Sequence, residues 1–361
     1  MRQAALRFRI LLLLLAVQAS AQSTVHFGVL GLFHPRELEL SAAGSEPLRI
    51  AGLSEPVVLN REPGQRGLLF RASGDRVLVS GIGAARLDIT SRNGSPVRFQ
   101  LTVPGKLQRV YQGSLHVSAS HGTLVAIVSM DREIAVATIV ASEMPIDAPL
   151  EALKAQAVVT RSFIAAGPRH AAFDFCDTTH CQYLRSPDEV TPKVRTAVED
   201  THGLVLTWRS QVIAALYSSR CGGRTRSLQE AGINSGNSYP YYAVPCAWCH
   251  NHPLREKAQP LTVTPVPGPG SRPSRIAQNR QWGWSALPGN DSPAVDQNQS
   301  GLPIEPRNAG HDSAVRQLAG HGFGLCQFGA IGMAAAGADY PSILAHYYPN
   351  TELAQLPSHA D

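Results

Sequence analysis

From residue 25 to residue 140 the chain is written in short alternating or apolar runs, and this constrains its fold more than any other feature. The runs fall at 25–32, 67–72, 76–80, 87–90, 98–103, 114–118 and 124–130. Turn signals stand between them: Pro63-Gly64, Ser73-Gly74-Asp75, Asn93-Gly94, Pro104-Gly105 and His121-Gly122. Closely spaced runs with such punctuation pair most simply as antiparallel sheet.

The pattern changes at Pro145. Asp147 is placed to cap a helix with Pro149 in its first turn. The body over 150–164 puts Leu150, Leu153, Ala157 and Ile164 on one face, and Gly167-Pro168 ends it. Lys154 and Arg161, seven apart, project from one side. A second helix is expected from Pro192 to about Asp200, capped by Thr191 and stopped by Gly203, followed by strands over 204–208 and 212–217. Residues 257–310 are rich in Pro, Gly, Ser and Asn and read as an exposed irregular loop. A small helical part over 325–348 closes the chain. The fold class expected is α+β: a strand-rich N-terminal part (22–140), a central helix after Glu143, a mixed sheet and a small C-terminal helical segment within 141–350, and a tail over 351–361.

Ahead of this, Arg2, Arg7 and Arg9 precede an apolar run over 10–17 and the small-residue pattern Ala19-Ser20-Ala21. That is the layout of a secretory signal peptide over 1–21, cut near Ala21. The run is far short of the roughly 20 residues that span a bilayer, and no later segment is apolar enough to do so. The sequence therefore predicts an exported chain, periplasmic or at the cell wall, with no stable membrane span. The formal charge is +5, and the three leader arginines account for most of it. A near-neutral mature chain argues against nucleic acid as a partner.

The six cysteines are Cys176, Cys181, Cys221, Cys246, Cys249 and Cys326. Export permits disulfides. The run His170-x5-Cys176-x3-His180-Cys181 gathers four ligand types suited to tetrahedral zinc, and a Cys176–Cys181 disulfide is the competing reading. Cys246-Ala247-Trp248-Cys249 has His250 and His252 beside it. Pairings among Cys221, Cys246, Cys249 and Cys326 stay open beside a second metal site.

Four segments carry a family resemblance. They are Ala141-Ser142-Glu143-Met144-Pro145 followed by Glu151-Ala152-Leu153-Lys154-Ala155-Gln156-Ala157-Val158 and Thr160-Arg161; Tyr217-Ser218-Ser219-Arg220-Cys221-Gly222-Gly223-Arg224-Thr225; Gly320-His321-Gly322-Phe323-Gly324-Leu325-Cys326-Gln327-Phe328-Gly329-Ala330; and Ile343-Leu344-Ala345-His346-Tyr347-Tyr348-Pro349. In order and spacing the chain resembles the SpoIID/LytB family of stage II sporulation protein D-like lytic transglycosylases and amidase enhancers. Where the family pattern carries serine and tyrosine, this chain has Cys326 and Phe328.

The resemblance implies cleavage of the MurNAc–GlcNAc bond in glycan strands stripped of stem peptides, leaving 1,6-anhydro-MurNAc ends. It implies Glu143 as the acid–base residue. It implies substrate contacts from Lys154, Gln156, Arg161, Tyr217, Ser219 and His321, against a plainer reading of Lys154 as a helix cation paired with Glu151. It also implies one structural Zn2+ on His170, Cys176, His180 and Cys181, no organic cofactor, and peptidoglycan glycan strands and a cell-wall amidase as partners. One acid suffices for such chemistry because the sugar's own 6-hydroxyl is the nucleophile, whereas ordinary glycosidases need two carboxyls. That acid must be protonated near neutral pH, so apolar surroundings should raise its pKa. The alternatives are a non-catalytic peptidoglycan-binding or amidase-enhancing protein, and a cysteine hydrolase using Cys221 or Cys326 with His321.

Overall fold

A computed structural model describes residues 24–61, 67–252 and 320–357. The expected leader and the Pro/Gly-rich loop at 257–310 lie outside the described residues. Eleven strands come first: β1 (Thr24–Val29), β2 (Glu37–Ala42), β3 (Leu48–Ala51), β4 (Val57–Leu59), β5 (Leu68–Ser73), β6 (Arg76–Val79), β7 (Ile82–Ala84), β8 (Arg86–Thr90), β9 (Val97–Val103), β10 (Leu107–Ser120) and β11 (Thr123–Asp131). Each pairs antiparallel with its neighbours, in the order β1-β11-β10-β9-β2-β5-β6-β7, with β8 on β10 and β3 and β4 beyond it. The long strand β10 changes partner at Gly113: its first half pairs β9 and its second half pairs β11 and β8. Alternation of buried and part-exposed residues along β9 and β10 puts Phe99, Leu101, Leu115 and Val117 inside.

Two helices follow, α1 (Arg132–Glu143) and α2 (Leu150–Ala165). A two-residue strand, β12 (Phe175–Cys176), pairs parallel with β1 at the sheet edge. Helix α3 (Pro192–Asp200) packs on α2, with Thr191 accepting the Val194 N–H as expected. The rest consists of short pieces: β13 (Leu204–Trp208), β14 (Gln211–Val212), β15 (Tyr217–Ser218), α4 (Ala247–Asn251), β16 (Leu325–Cys326), α5 (Gln327–Ala335), α6 (Tyr340–Tyr347) and β17 (Glu352–Gln355).

Helix α2 lies between two apolar cores. Ala152, Leu153, Ala157, Phe163 and Ile164 join the core under the large sheet. Ala155, Val158 and Val159 join a second core with Leu325, Cys326, Ile343, Tyr347 and Tyr348. A helix apolar on all sides is a buried helix, and every residue of α2 from Ala155 to Ile164 is buried.

The α+β class stands, with local corrections. Residues 132–140 form helix α1, where an extended run was expected. Asp131 caps it by accepting the N–H groups of Glu133 (2.8 Å) and Ile134 (3.2 Å), and burial of Ala135, Val136, Ile139 and Val140 outweighs the β-branched character of the run. Pro149, not Asp147, is the N-terminal boundary of α2, with no side-chain cap. The tail forms β17, which pairs antiparallel with β13.

Candidate active site

Glu143 is the last residue of α1. Met144 follows in an extended conformation (φ −104°, ψ 148°), as a residue before proline must. Glu143 therefore stands at a helix-to-helix corner and not at the strand-to-helix corner expected from sequence. Its side chain turns inward and stays only partly accessible. The Tyr183 backbone N–H donates to Glu143 Oε1 at 2.9 Å. The Tyr217 hydroxyl and the Gln327 side chain also hydrogen-bond to the carboxyl, and the Arg185 charge lies nearby. Burial outweighs these contacts and raises the Glu143 pKa from 4.5 to about 6. Burial and the Glu143 charge push the Tyr217 phenol well above its ordinary value, so Tyr217 remains a donor.

The partners are held in register by local structure. Strands β15 and β16 pair parallel, Tyr217 opposite Leu325 and Ser218 opposite Cys326. This brings Tyr217 and Gln327 to the same corner. Gly324 makes the pairing possible: its φ is +63°, and a Cβ there would meet Leu216 O at 2.1 Å. The Tyr348 hydroxyl accepts the Leu325 N–H at 3.1 Å and donates to Leu216 O at 2.5 Å. Behind the site, Gln327 donates to Gln156 Oε1 (3.4 Å) and Gln156 to Thr160 Oγ1 (3.2 Å).

A four-donor knot fixes the loop that supplies Tyr183. Ligand atoms of His170, Cys176, His180 and Cys181 all lie within 4.8 Å of one another. His170 Nε2 is 3.2 Å from Cys181 Sγ, and His180 Nδ1 is 3.6 Å from both sulfurs. Both cysteines are free thiols. Cys176 sits on β12 against β1, and buried Asp177 ties the loop to the sheet by accepting from Leu30 N (3.1 Å) and Arg109 Nη1 (2.9 Å). Gln182 donates to Thr160 O at 3.2 Å. Two sulfurs and two imidazole nitrogens at this spacing can hold a metal ion.

The other expected contacts fall elsewhere. Arg161 is fully buried and forks onto Glu133 (2.8 and 2.6 Å), with Leu204 O accepting at 3.0 Å. A guanidinium spent in this way has no face left for a saccharide, so the expected substrate contact is corrected to a strut between α1 and α2. Gln156 is likewise sealed inside, one residue behind the site. Lys154 sits between Glu151 and Asp200, 3.0 Å from each, which matches the plainer reading. Ser219 is exposed, and its carbonyl accepts the Phe328 N–H. His321 Nδ1 accepts the Phe323 N–H at 2.9 Å; burial lowers its pKa to about 4, so it is a neutral turn-former. Sequence reasoning missed Tyr183, Arg185 and Gln327. Only Gln327 left a signal, in the motif after Gly320.

A buried acid at a corner between a sheet half and a smaller C-terminal half, beside a thiol–imidazole knot, defines the class of site. Residues 120–208 match the family model described as Stage II sporulation protein, SpoIID, a stretch that runs from the end of β10 through α1, α2, the knot and α3 to β13. The chain is 27% identical over 259 residues to stage II sporulation protein D of Bacillus amyloliquefaciens (61% of this chain, 73% of the relative). It is 25% identical over 254 residues to the Bacillus subtilis protein of the same name (60% and 72%). An uncharacterized protein of Brachyspira hyodysenteriae is 26% identical over 267 residues (67% and 72%). The domain match over 120–208 and these relatives support the SpoIID family for this chain. Among the described residues no helix is long and apolar enough to cross a membrane.

Proposed function

We propose that this chain is an exported peptidoglycan lytic transglycosylase acting on glycan strands free of stem peptides, within the sporulation- or cell-wall-related role that its likeness to the SpoIID family suggests. The supporting observation is the Glu143 carboxyl: partly accessible, ringed by Tyr183 N, Tyr217 and Gln327, and raised to about 6. Such a group donates a proton near neutral pH.

In the reaction Glu143 protonates the glycosidic oxygen as the bond to the MurNAc anomeric carbon breaks. The same sugar's 6-hydroxyl bonds to that carbon and returns its proton to the carboxylate. The protein thus ends as it began, and the product carries a 1,6-anhydro end. Tyr217 and Gln327 orient the carboxyl and steady the charge that it carries midway. The Arg185 guanidinium lies 4.6 Å from the Tyr183 ring centroid. In place of Lys154 and Arg161 it supplies the cationic substrate contact, binding the lactyl carboxylate of MurNAc, while the Tyr183 ring offers a flat face to a sugar. His170, Cys176, His180 and Cys181 would hold a zinc ion, which supplies a closed structural crosslink and no open position for water.

The test incubates stripped glycan strands with the wild type and with Glu143→Gln and analyses the ends by mass spectrometry. Anhydro-MurNAc ends are expected from the wild type alone. Strand binding with no such ends from the wild type would replace this reading with that of a non-catalytic wall-binding protein.

A further inference from the structure

The two motifs that supply Tyr217 and Gln327 each carry a cysteine, and so does each end of the C-x-x-C segment. Cys221 follows β15, Cys246 and Cys249 bracket the start of α4, and Cys326 ends β16 and caps α5. Far apart in sequence, the four meet: every Sγ lies within 4.8 Å of every other. All four are buried, with exposures of 5%, 3%, 2% and 0%.

We infer that these four cysteines form a second metal centre, a closed tetrathiolate site for a zinc ion, separate from the His170 knot. The sulfurs converge on one point and do not pair off. Zinc–sulfur bonds of about 2.3 Å set tetrahedral sulfur–sulfur edges of about 3.8 Å, and the Cys249–Cys326 separation is 3.4 Å with all four thiols unbridged. Four thiolates on a dication leave net negative charge, which such sites offset with hydrogen bonds to sulfur. Here Gly329 N–H donates to Cys326 Sγ at 3.3 Å, and the Tyr347 hydroxyl lies 3.3 Å from Cys246 Sγ. The enclosure is tight: a Cβ on Gly329 would meet Tyr347 Oη at 2.0 Å and Cys246 Sγ at 2.5 Å. Cys246-x-x-Cys249 at a helix start and a Cys221-Gly222-Gly223 turn with positive φ at both glycines let two backbone knuckles face one ion.

The consequence reaches Glu143. Tyr217 lies four residues before Cys221, and Gln327 is next to Cys326. The ion would clamp together the β15 and β16 segments that carry these partners, doing for the C-terminal half what the His170 knot does for the loop before Tyr183.

The test measures zinc per chain by elemental analysis in the full-length protein, with no activity readout. His170→Ala is expected to keep one zinc, and adding Cys249→Ser to reduce it to none. In the cobalt-loaded His170→Ala chain, four-thiolate charge-transfer absorption is expected. To keep the test independent of any folding cost of Cys249→Ser, a mercurial titration of unmutated protein gives a second readout: at least four titratable thiols whose blocking releases zinc. Two disulfides among Cys221, Cys246, Cys249 and Cys326 in a non-reducing peptide map would overturn the proposal. So would wild-type zinc content in Cys249→Ser.

Discussion

The two halves packed against α2 keep their shape by different means. On one side, strands with regular alternation bury Phe27, Phe70, Phe99 and Leu115 completely, and stability scales with the apolar area removed from water. On the other side, the pieces β14, β15 and β16 are two residues each. Individual polar contacts pin them: Tyr239 Oη to Pro349 O (2.9 Å), Tyr241 Oη to Ala214 O, Tyr348 Oη to Leu216 O (2.5 Å), and the thiol cluster. The comparison separates scaffold from setting. The sheet supplies the energy, and the irregular half supplies the two side chains, Tyr217 and Gln327, whose placement decides what Glu143 can do.

The largest effect is expected where the halves are tied together. Arg161→Ala leaves Glu133 without its partner inside the α1–α2 contact, and should cost about 3–5 kcal/mol in a denaturant melt. Unchanged stability with only a raised KM would return Arg161 to a substrate role. Next comes the sheet itself. Leu115→Ala should cost about 2–5 kcal/mol through lost burial and a cavity, while the Glu143 titration stays where it was. A shifted titration would mean that the halves are not separable.

The third effect is smaller and depends on pH. The Glu143 proton is bound more tightly folded (about 6) than unfolded (4.5). Its contribution to stability is therefore full below pH 4.5 and lost as pH rises through 6. Glu143→Gln escapes that loss, so above pH 6 it should be more stable than the wild type by about 2 kcal/mol, relative to the difference between the two at pH 4. Glycan cleavage should fall over the same range, because the acid must be protonated. A variant advantage that does not change with pH would contradict the raised value. The smallest effect belongs to Lys154→Ala. It removes a pair of mostly surface ion pairs and should cost about 0.5–1 kcal/mol, fading in high salt.

The same contrast explains what was legible in the sequence. Strands with strict alternation, such as 98–103 and 124–130, were placed within a residue or two, because one buried face dictates the period. The capped helix at 192–200 was equally plain. Helix α1 was not: Thr138, Ile139 and Val140 read as strand, although Ala135, Val136, Ile139 and Val140 recur at helical spacing behind Asp131. The shared side of Lys154 and Arg161 suggests a polar, substrate-facing side, and α2 has none from Ala155 to Ile164. The Arg161 partner, Glu133, sits on the helix that went unrecognised. Tyr183 touches Glu143 through a backbone N–H, which carries no sequence signature. The thiol cluster joins three distant segments, so spacing alone left its pairing open.

Central to all of this is a carboxyl whose pKa burial raises to about 6 in spite of three hydrogen-bond donors. The direct measurement is a titration of Glu143 in protein labelled with carboxyl-13C glutamate, taken as the wild type minus Glu143→Gln. A midpoint near 6 is expected. A midpoint at or below 4.5 would mean that burial does not hold the proton on Glu143, and proton donation from it would have to be abandoned.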